Sequence, residues 1–236
     1  MSADPVLHPP PLPKASRRGL AQEAADLLRE AIFSGHFPPG SQLREVELAG
    51  SLGVSRGSVR EGLALLQREG LVRSVWHRGT TVIDVTVEDI EEVYTLRAAL
   101  DRLAATSAQR SSAESQLDEL DSLVGAMADE IGGAAADDVS GARLLALDLA
   151  FHDRIYDAAG NRRLTAAWHA VRSQVHLFQL RRIALGHEHY RARVVDEHRE
   201  LAALLRSDDR ETLARRAEEH VDSARRSLLD GLSSPA

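Results

Sequence analysis

The chain has 236 residues, and its 29 Lys and Arg against 36 Asp and Glu give a formal net charge of −7. It contains no cysteine, which excludes disulfides, thiolate metal sites and a thiol nucleophile. No apolar run reaches the roughly 18–20 residues of a membrane span, and the N-terminus has no signal-peptide core, so we expect a soluble cytoplasmic protein. Taken alone, the net charge argues mildly against a nucleic-acid partner.

The negative charge is concentrated in the last two-thirds of the chain. Residues 1–86 carry 10 Lys and Arg against 9 Asp and Glu, whereas residues 87–236 carry 19 against 27. The whole-chain charge is therefore a poor guide to what the first third binds. All basic residues except Lys14 are arginine, a side chain that binds a phosphate or a guanine edge through two parallel hydrogen bonds.

A proline-rich arm and a small domain are predicted in residues 1–86. Five of the eight prolines lie within residues 1–18, and because proline disrupts helices and central strands, this segment is predicted to be a flexible arm. From residue 19 onward, apolar residues at helical spacing predict a first helix that ends near Gly35. A second short helix fits residues 45–51, and a third begins after Ser55, a favourable N-cap residue.

A hairpin completes this first domain. The β-rich runs 71–76 and 80–85 flank the turn at His77-Arg78-Gly79. Three helices followed by a hairpin predict a winged helix-turn-helix domain over residues 19–86. In such a domain the third helix enters the major groove of DNA.

The remainder is predicted to be all α-helical. Thr86 begins it as an N-cap, strand patterns disappear, and Gly, Ser and Asn breaks separate six helical segments: 87–109, 112–130, 140–159, 162–184, 188–206 and 209–230. The predicted fold is therefore mostly α, with a winged helix-turn-helix and a C-terminal six-helix bundle over 87–232. Residues 233–236 form a short tail.

Polar side chains cluster where the third helix would meet DNA. Arg56 and Arg60 lie four residues apart on one face of that helix, so they could equally form a solvated face. The winged-helix arrangement around them favours DNA binding, with hydroxyl groups and helix N-terminal amides near phosphate. The candidate DNA contacts are Arg44, Ser55, Arg56, Ser58, Arg60, Arg78 and Gly79.

Residues 38–82 resemble the DNA-binding domain of the GntR family of bacterial transcription regulators. The resemblance rests on PPGSQLREVELAGSLGVSRGSVREGLALLQREGLVRSVWHRGTTV. It implies that the seven candidates above contact the operator. This sequence departs from the family pattern at two places: Gly57-Ser58 stands where the family has a pair such as Thr-Pro, and Gly62 stands where the family has Ala. Since glycine within a helix costs about 0.5–1 kcal/mol relative to alanine, both predict a looser reading helix.

Polar residues interrupt the apolar stripes of three helices in the second domain. Asp148 and His152 lie four residues apart on one stripe, and His198 and His220 lie on two others. A buried carboxylate or imidazole without a partner costs roughly 1–3 kcal/mol. A single such histidine is usually a core residue with a satisfied hydrogen bond, but four residues facing inward predict a shared metal ion.

The same region, from about residue 87 to 232, resembles the FCD ligand-binding domain of the FadR subfamily. The resemblance rests on Leu96-Arg97-x-x-Leu100-Asp101, Asp148-x-x-x-His152, Gly160-Asn161, Glu197-His198 and His220, with Asp101 where the family more often has Glu. It implies Asp148, His152, His198 and His220 as metal ligands. Zinc, nickel and manganese all suit three imidazoles and a carboxylate, and we expect zinc.

The resemblance also places Arg97 toward an effector cavity, where it would bind a carboxylate. An ion pair of Arg97 with Asp101 is an equal alternative, and Arg172 is a weaker candidate for the effector. Glu197 and Glu219 are expected at the surface or behind the ligands. The sequence thus predicts a homodimeric repressor, not an enzyme, that binds double-stranded operator DNA and a small organic acid. The alternatives are a metal-dependent hydrolase and a regulator without bound metal.

Overall fold

The structure is a computed structural model that describes residues 18–132, 141–185 and 188–233. The predicted arm up to residue 17 and the last three residues of the predicted tail lie outside the described residues. The first domain contains α1 (Arg18–Phe33), β1 (Gln42–Leu43), α2 (Glu45–Leu52), α3 (Arg56–Arg68), β2 (Val72–Val75) and β3 (Gly79–Val82). No described helix is long and apolar enough to cross a membrane.

The hairpin belongs to a three-stranded antiparallel sheet in the order β1-β3-β2. The predicted hairpin is confirmed as β2 and β3, whereas the two-residue strand β1 is not predicted. Gln42 and Leu43 of β1 pair with Thr81 and Thr80 of β3. Because two residues show no alternation, only this long-range pairing defines the strand. The sheet therefore anchors the start of α2 to the base of the wing.

Helix α3 lies against α1, and Gly62 is the point of closest approach. A Cβ atom at Gly62 would lie 3.0 Å from the Ala21 carbonyl oxygen and 3.2 Å from the Ala25 amide nitrogen. Both atoms belong to the backbone of α1 and cannot move without shifting that helix. The sequence predicts that Gly57 and Gly62 loosen α3. The structure shows in addition that Gly62 allows α3 to pack closely against α1.

We expect Gly57→Ala and Gly62→Ala to change the free energy of unfolding in opposite directions. At Gly57 a Cβ atom would meet only the Ser55 hydroxyl, at 3.6 Å, so alanine should stabilise by about 0.5–1 kcal/mol. At Gly62 the crowding should destabilise by about 1–2 kcal/mol. Urea unfolding followed by circular dichroism measures both values, and a stabilised Gly62→Ala variant would contradict the packing role.

The six predicted helices of the second domain are confirmed, each with ends within three residues of the prediction. They are α4 (Val87–Ser111), α5 (Glu114–Gly132), α6 (Gly141–Ala158), α7 (Arg162–Ala184), α8 (Glu188–Leu205) and α9 (Arg210–Ser233). Thr86 caps α4 by accepting a hydrogen bond from the Asp89 amide, at 3.1 Å. Helix α4 packs along α9 and against α6 and α7, so residues of four helices share one core.

The two domains meet where α1 and the end of α3 contact α7. Ser173 donates a hydrogen bond to Glu69 Oε2 at 3.0 Å, and the rings of Phe33 and His176 lie 3.9 Å apart. Burial lowers the pKa of His176 to about 4, and the nearby Arg172 charge adds to the shift. His176 is therefore neutral at pH 7 and packs as an apolar ring. The first domain therefore packs directly against α7 of the second domain.

Candidate metal centre and DNA-binding surface

Three helices bring the four predicted ligands together. Asp148 and His152 come from consecutive turns of α6, His198 from α8 and His220 from α9. One ligand atom from each lies within 4.8 Å of the others. Asp148, His152 and His198 are at most 2% exposed. The apolar stripes identified in the sequence therefore converge on a single buried cluster.

The proton of each imidazole is fixed by an oxygen atom behind it. Backbone carbonyl and carboxylate oxygens only accept hydrogen bonds at neutral pH, so the Nδ1 atom that faces each of them carries the proton. Val194 O lies 2.7 Å from His198 Nδ1 and Glu197 Oε2 lies 3.1 Å from His220 Nδ1, both as hydrogen-bond acceptors, and Asp101 Oδ2 lies 3.3 Å from His152 Nδ1. All three Nε2 atoms are left with a lone pair directed into the cluster.

Each of these lone pairs lies close to another acceptor atom, and that of His152 also accepts a hydrogen bond from Arg97. His152 Nε2 lies 3.2 Å from His220 Nε2, and His198 Nε2 lies 3.2 Å from Asp148 Oδ1. Among the described residues, Asp148 Oδ2 and His198 Nε2 have no hydrogen-bond partner. A separation of 3.2 Å matches two ligands that each lie about 2.1 Å from one ion. The donor set therefore fits a divalent cation.

The charges at this cluster also favour a cation. Burial lowers the pKa of His220 to about 4, against the raising effect of Glu197, so its Nε2 atom has no proton at pH 7. Burial opposes ionisation of Asp148, but the positive charge of Arg97 favours the carboxylate, and the pKa of Asp148 falls well below its ordinary value. A carboxylate and the neutral imidazole of His220 thus lie together in this cluster.

Arg97, which the sequence analysis expects to face an effector cavity, lies behind this cluster in the metal-free structure. It is completely buried, and its Nη2 donates to His152 Nε2 at 2.9 Å while its Nε lies 3.4 Å from Asp101 Oδ2. Its guanidinium lies between the rings of Tyr94 and Trp168. The predicted alternative, an ion pair with Asp101, is the arrangement found. The charge of Asp101 draws Arg97 inward between α4 and α6.

The other side chains considered for the effector site or the surroundings of the metal also have defined partners. Arg172 donates three hydrogen bonds of 2.8, 3.0 and 2.7 Å to Asp153, so its guanidinium is already held by a carboxylate. Glu219 is exposed and pairs with Arg215 and Arg216. Glu197, in contrast, orients His220. Arg172 is therefore removed from the candidates for effector binding.

A cavity of about 320 Å³ opens beside the cluster, and Asp148 and His220 form part of its wall. Two buried side chains of α7, Gln179 and Arg182, line it together with Ser223 and Ser227 of α9. The sequence analysis does not identify Gln179 or Arg182. A signal exists for Arg182, since it continues the buried stripe of Val171, Val175 and Phe178 at spacings of four, three and four.

Ser55 and Ser58 serve the structure of α3. Ser55 Oγ accepts a hydrogen bond from the Ser58 amide at 3.1 Å, which confirms Ser55 as the N-cap. The Ser58 hydroxyl bonds to that of Ser55 at 3.0 Å and is buried. Ser58 is thus not accessible to DNA in this arrangement, because it faces the helix cap and the core. The expectation of a Ser58 contact is corrected accordingly.

The remaining candidates form an exposed basic surface. Arg56, at the first turn of α3, makes no ion pair within the described residues, and Arg60 binds Glu45 through hydrogen bonds of 3.0 and 2.8 Å. Arg44 pairs with Glu47 at 3.0 Å. Arg78 lies in the exposed turn between β2 and β3, and Gly79, also exposed, is the first residue of β3. The reading helix and the wing therefore present exposed arginines on the first domain.

Comparisons with known proteins agree with this architecture. The family model described as bacterial regulatory proteins, gntR family, matches residues 20–82, and the FCD domain model matches residues 92–223. The uncharacterized HTH-type transcriptional regulator YdhC of Bacillus subtilis is 27% identical over 82% of this chain and 82% of its own. The gluconate operon transcriptional repressor of Bacillus licheniformis is 24% identical over 91% and 87%.

A solved structure shows the same fold. Escherichia coli McbR/YncC superposes with a TM-score of 0.75 at 19% identity, over 91% of this chain and 99% of that one. The FCD match alone spans more than half of the 236 residues. This family consists of transcription regulators and not of enzymes. The chain therefore belongs to the GntR family of bacterial transcription regulators with an FCD domain, and it is a DNA-binding regulator.

Proposed function

We propose that this regulator is a homodimeric repressor that binds a divalent metal ion and releases or retains its operator in response to a small hydroxylated carboxylate. The observation that carries this proposal is the convergence of Asp148, His152, His198 and His220 on one point, with Asp148 and His220 also lining the 320 Å³ cavity. We expect zinc in this site, with nickel or manganese as substitutes. The protein would act on chromosomal operators in the cytoplasm.

The lining of the cavity supports the effector class. Arg182 supplies a cation for a carboxylate, and the metal ion would supply a second. Gln179 is 2% exposed, and its Oε1 atom has no hydrogen-bond partner among the described residues. A buried carbonyl oxygen of this kind is stabilised by a ligand hydroxyl. The relative from Bacillus licheniformis is named for a gluconate operon, and gluconate is a carboxylate rich in hydroxyl groups.

Metal binding would also change the role of Arg97. The single lone pair of His152 Nε2 accepts a hydrogen bond from Arg97 in the structure. Coordination of an ion would use the same lone pair, so Arg97 would lose this hydrogen bond. Its Nε and Nη1 atoms already lack hydrogen-bond partners within the described residues. A contact of Arg97 with the effector therefore remains a proposal that depends on metal.

We expect hydroxylated acids to change operator affinity more than matched acids without hydroxyl groups. The probes are gluconate against hexanoate and malate against succinate. Fluorescence anisotropy would measure the binding of metal-loaded protein to a duplex that it selects from a random pool. The preferred acid should change the dissociation constant by about 5- to 150-fold.

The variant Gln179→Met retains the size of the side chain and removes its amide. We expect it to lose the preference for hydroxylated acids, whereas His169→Ala, an exposed change on the same helix, should retain the preference. Equal effects of both members of each acid pair in the wild type would contradict the proposed effector class. Metal content and operator binding are measured separately, so the other parts of the proposal do not depend on this result.

A chain of contacts connects the cluster with the DNA-binding domain. Asp153 follows the ligand His152 on α6 and accepts hydrogen bonds from Trp168 and Arg172 of α7. The next residue of α7, Ser173, binds Glu69 at the end of α3. A movement of α6 on effector binding would thus reach α7 and the reading helix. This continuous path supports coupling between the two domains.

The exposed face of α4 supports a dimer. Leu96 and Leu103 are each 46% exposed, and the exposed Ala99 lies between them at spacings of three and four. A second copy of this chain would cover these apolar side chains and place two reading helices on a twofold operator. The face belongs to the second domain, so the first domain would remain free to bind DNA.

We expect Leu103→Glu to convert the dimer into a monomer, because it places a charge on this apolar face. Size-exclusion chromatography with light scattering measures the mass. Operator affinity should fall by at least about 100-fold, since each monomer then binds only a half-site. Leu27→Glu, at a 50% exposed position of α1, is the control and should remain dimeric. An unchanged mass for Leu103→Glu would place the interface elsewhere.

A further inference from the structure

Trp76 stands exposed at the tip of the wing. It directly follows β2, and its side chain is 86% exposed, whereas Trp168, the second tryptophan of the chain, is completely buried. Its indole contacts the ring of His77, with centroids 5.0 Å apart. The Arg78 amide donates to Val75 O at 3.0 Å, which closes the turn. His77 has a φ of 61°, so the turn has a defined conformation that directs Trp76 into solvent.

The exposed indole of Trp76 contributes little to the stability of the fold. An indole buries up to about 250 Å² when it packs, and Trp76 leaves most of its surface in water. Among the described residues, no other large hydrophobic side chain of the winged helix exceeds 63% exposure. A single exposed hydrophobic residue is ordinary, but an indole held on a closed hairpin turn is preorganised for a contact outside the domain.

The surroundings of Trp76 identify the partner as DNA. A groove of about 430 Å³ lies between α3 and the hairpin, and Trp76 lines it together with Arg60, Gln67 and Ser74. The indole is thus on the same side as the reading helix. Arg73 on β2 and Arg78 in the turn, both exposed, lie on either side of it in the sequence. An aromatic ring among arginines matches a polyanion with apolar sugar surfaces and not an apolar protein surface.

We propose that Trp76 is a DNA contact that packs on the deoxyribose and base edges of the minor groove beside the half-site read by α3. Wings reach this region when the preceding helix occupies the major groove, and apolar side chains commonly contact the minor groove there. The flanking arginines neutralise phosphates on either side. Trp76 therefore adds affinity that does not depend on a hydrogen bond to a base.

The two tryptophans make the contact measurable in the wild-type protein. Acrylamide quenches exposed indoles and leaves buried Trp168 largely untouched. We expect the quenchable part of the emission to disappear when the selected operator duplex saturates the protein. Trp76→Phe provides the blank, because its remaining emission comes only from Trp168. The measurement needs no change in the buried tryptophan, so folding is not affected.

Affinity gives the second readout. Trp76→Ala should weaken binding to the selected duplex by about 10-fold, and Trp76→Phe by less. Val87→Ala, at a 56% exposed position outside the wing, should bind as the wild type does. The proposal is overturned if Trp76 stays quenchable in the saturated complex or if Trp76→Ala binds within twofold of the wild type. Protection that follows protein concentration without DNA also overturns it, because a second copy then covers the indole.

Discussion

The metal-free protein is expected to gain about 8–16 °C in its thermal midpoint when zinc is supplied at about a thousand times its dissociation constant. Binding to the folded state alone contributes about 4 kcal/mol under that condition. For a chain of this size, each kcal/mol shifts the midpoint by roughly 2–4 °C. The stability increases because two pairs of acceptor atoms lie close together without a donor between them, and a bound ion would be coordinated by both. These pairs are Asp148 Oδ1 with His198 Nε2, and His152 Nε2 with His220 Nε2. Differential scanning calorimetry measures it.

Asp148→Asn distinguishes a metal site from a structural hydrogen-bond network. In the loaded protein we expect this variant to lose most of the gain, since a ligand charge is removed. In the metal-free protein its midpoint should not fall, because the amide can donate to the unpartnered His198 Nε2. A structural network would give the reverse, with the larger loss in the metal-free protein. His169→Ala is the control, as this histidine is exposed on α7.

Elemental analysis of protein purified without an affinity tag tests the same site directly. Less than about a tenth of an equivalent of metal, together with no thermal response to zinc, nickel or manganese, would leave a regulator whose histidines are structural. In that arrangement a proton would have to replace the ion between His198 and Asp148. Such a protein would still bind DNA through the first domain, so the family assignment would stand.

The fold and the ligand cluster could be predicted because both depend on periodicity. Apolar residues at spacings of three and four define the helices and their buried faces, and Asp148, His152, His198 and His220 interrupt those faces. Ser55 could be recognised as an N-cap for a similar local reason. In each case the information lies within one turn or one helix face. Tertiary packing then brought the interrupted stripes together, as buried polar groups require.

The features that depend on contacts between distant segments could not be predicted in this way. Strand β1 has two residues and exists only through its pairing with β3. Arg97 faces inward because Asp101, one turn later, lies against His152 of another helix. Gly62 suggests a weak helix until the backbone of α1 is found 3.0 Å from its missing Cβ. Sequence spacing gives the face of a helix, but the neighbour on that face comes only from packing.

The second large effect is expected at the reading helix. Arg56→Ala should weaken binding to the selected operator duplex by about 10- to 100-fold, because a bidentate arginine contact with a guanine is worth about 1–3 kcal/mol. Arg56 lies at the first turn of α3 and makes no ion pair within the described residues, so its guanidinium is available. Arg60→Ala should have a smaller effect, since Glu45 holds that side chain through two hydrogen bonds.

The dependence of affinity on sequence and on salt separates base contacts from phosphate contacts. Arg56→Ala should lose discrimination between the selected duplex and a scrambled one, and Arg56→Lys should not restore it, because lysine lacks the planar pair of donors. Arg78→Ala should weaken both duplexes alike and reduce the salt slope by about one. Arg68→Ala removes the same charge from the far end of α3 and is the matched control. If Arg68→Ala weakened binding as much as Arg56→Ala, total charge would account for the affinity, and α3 would not be the helix that reads the operator.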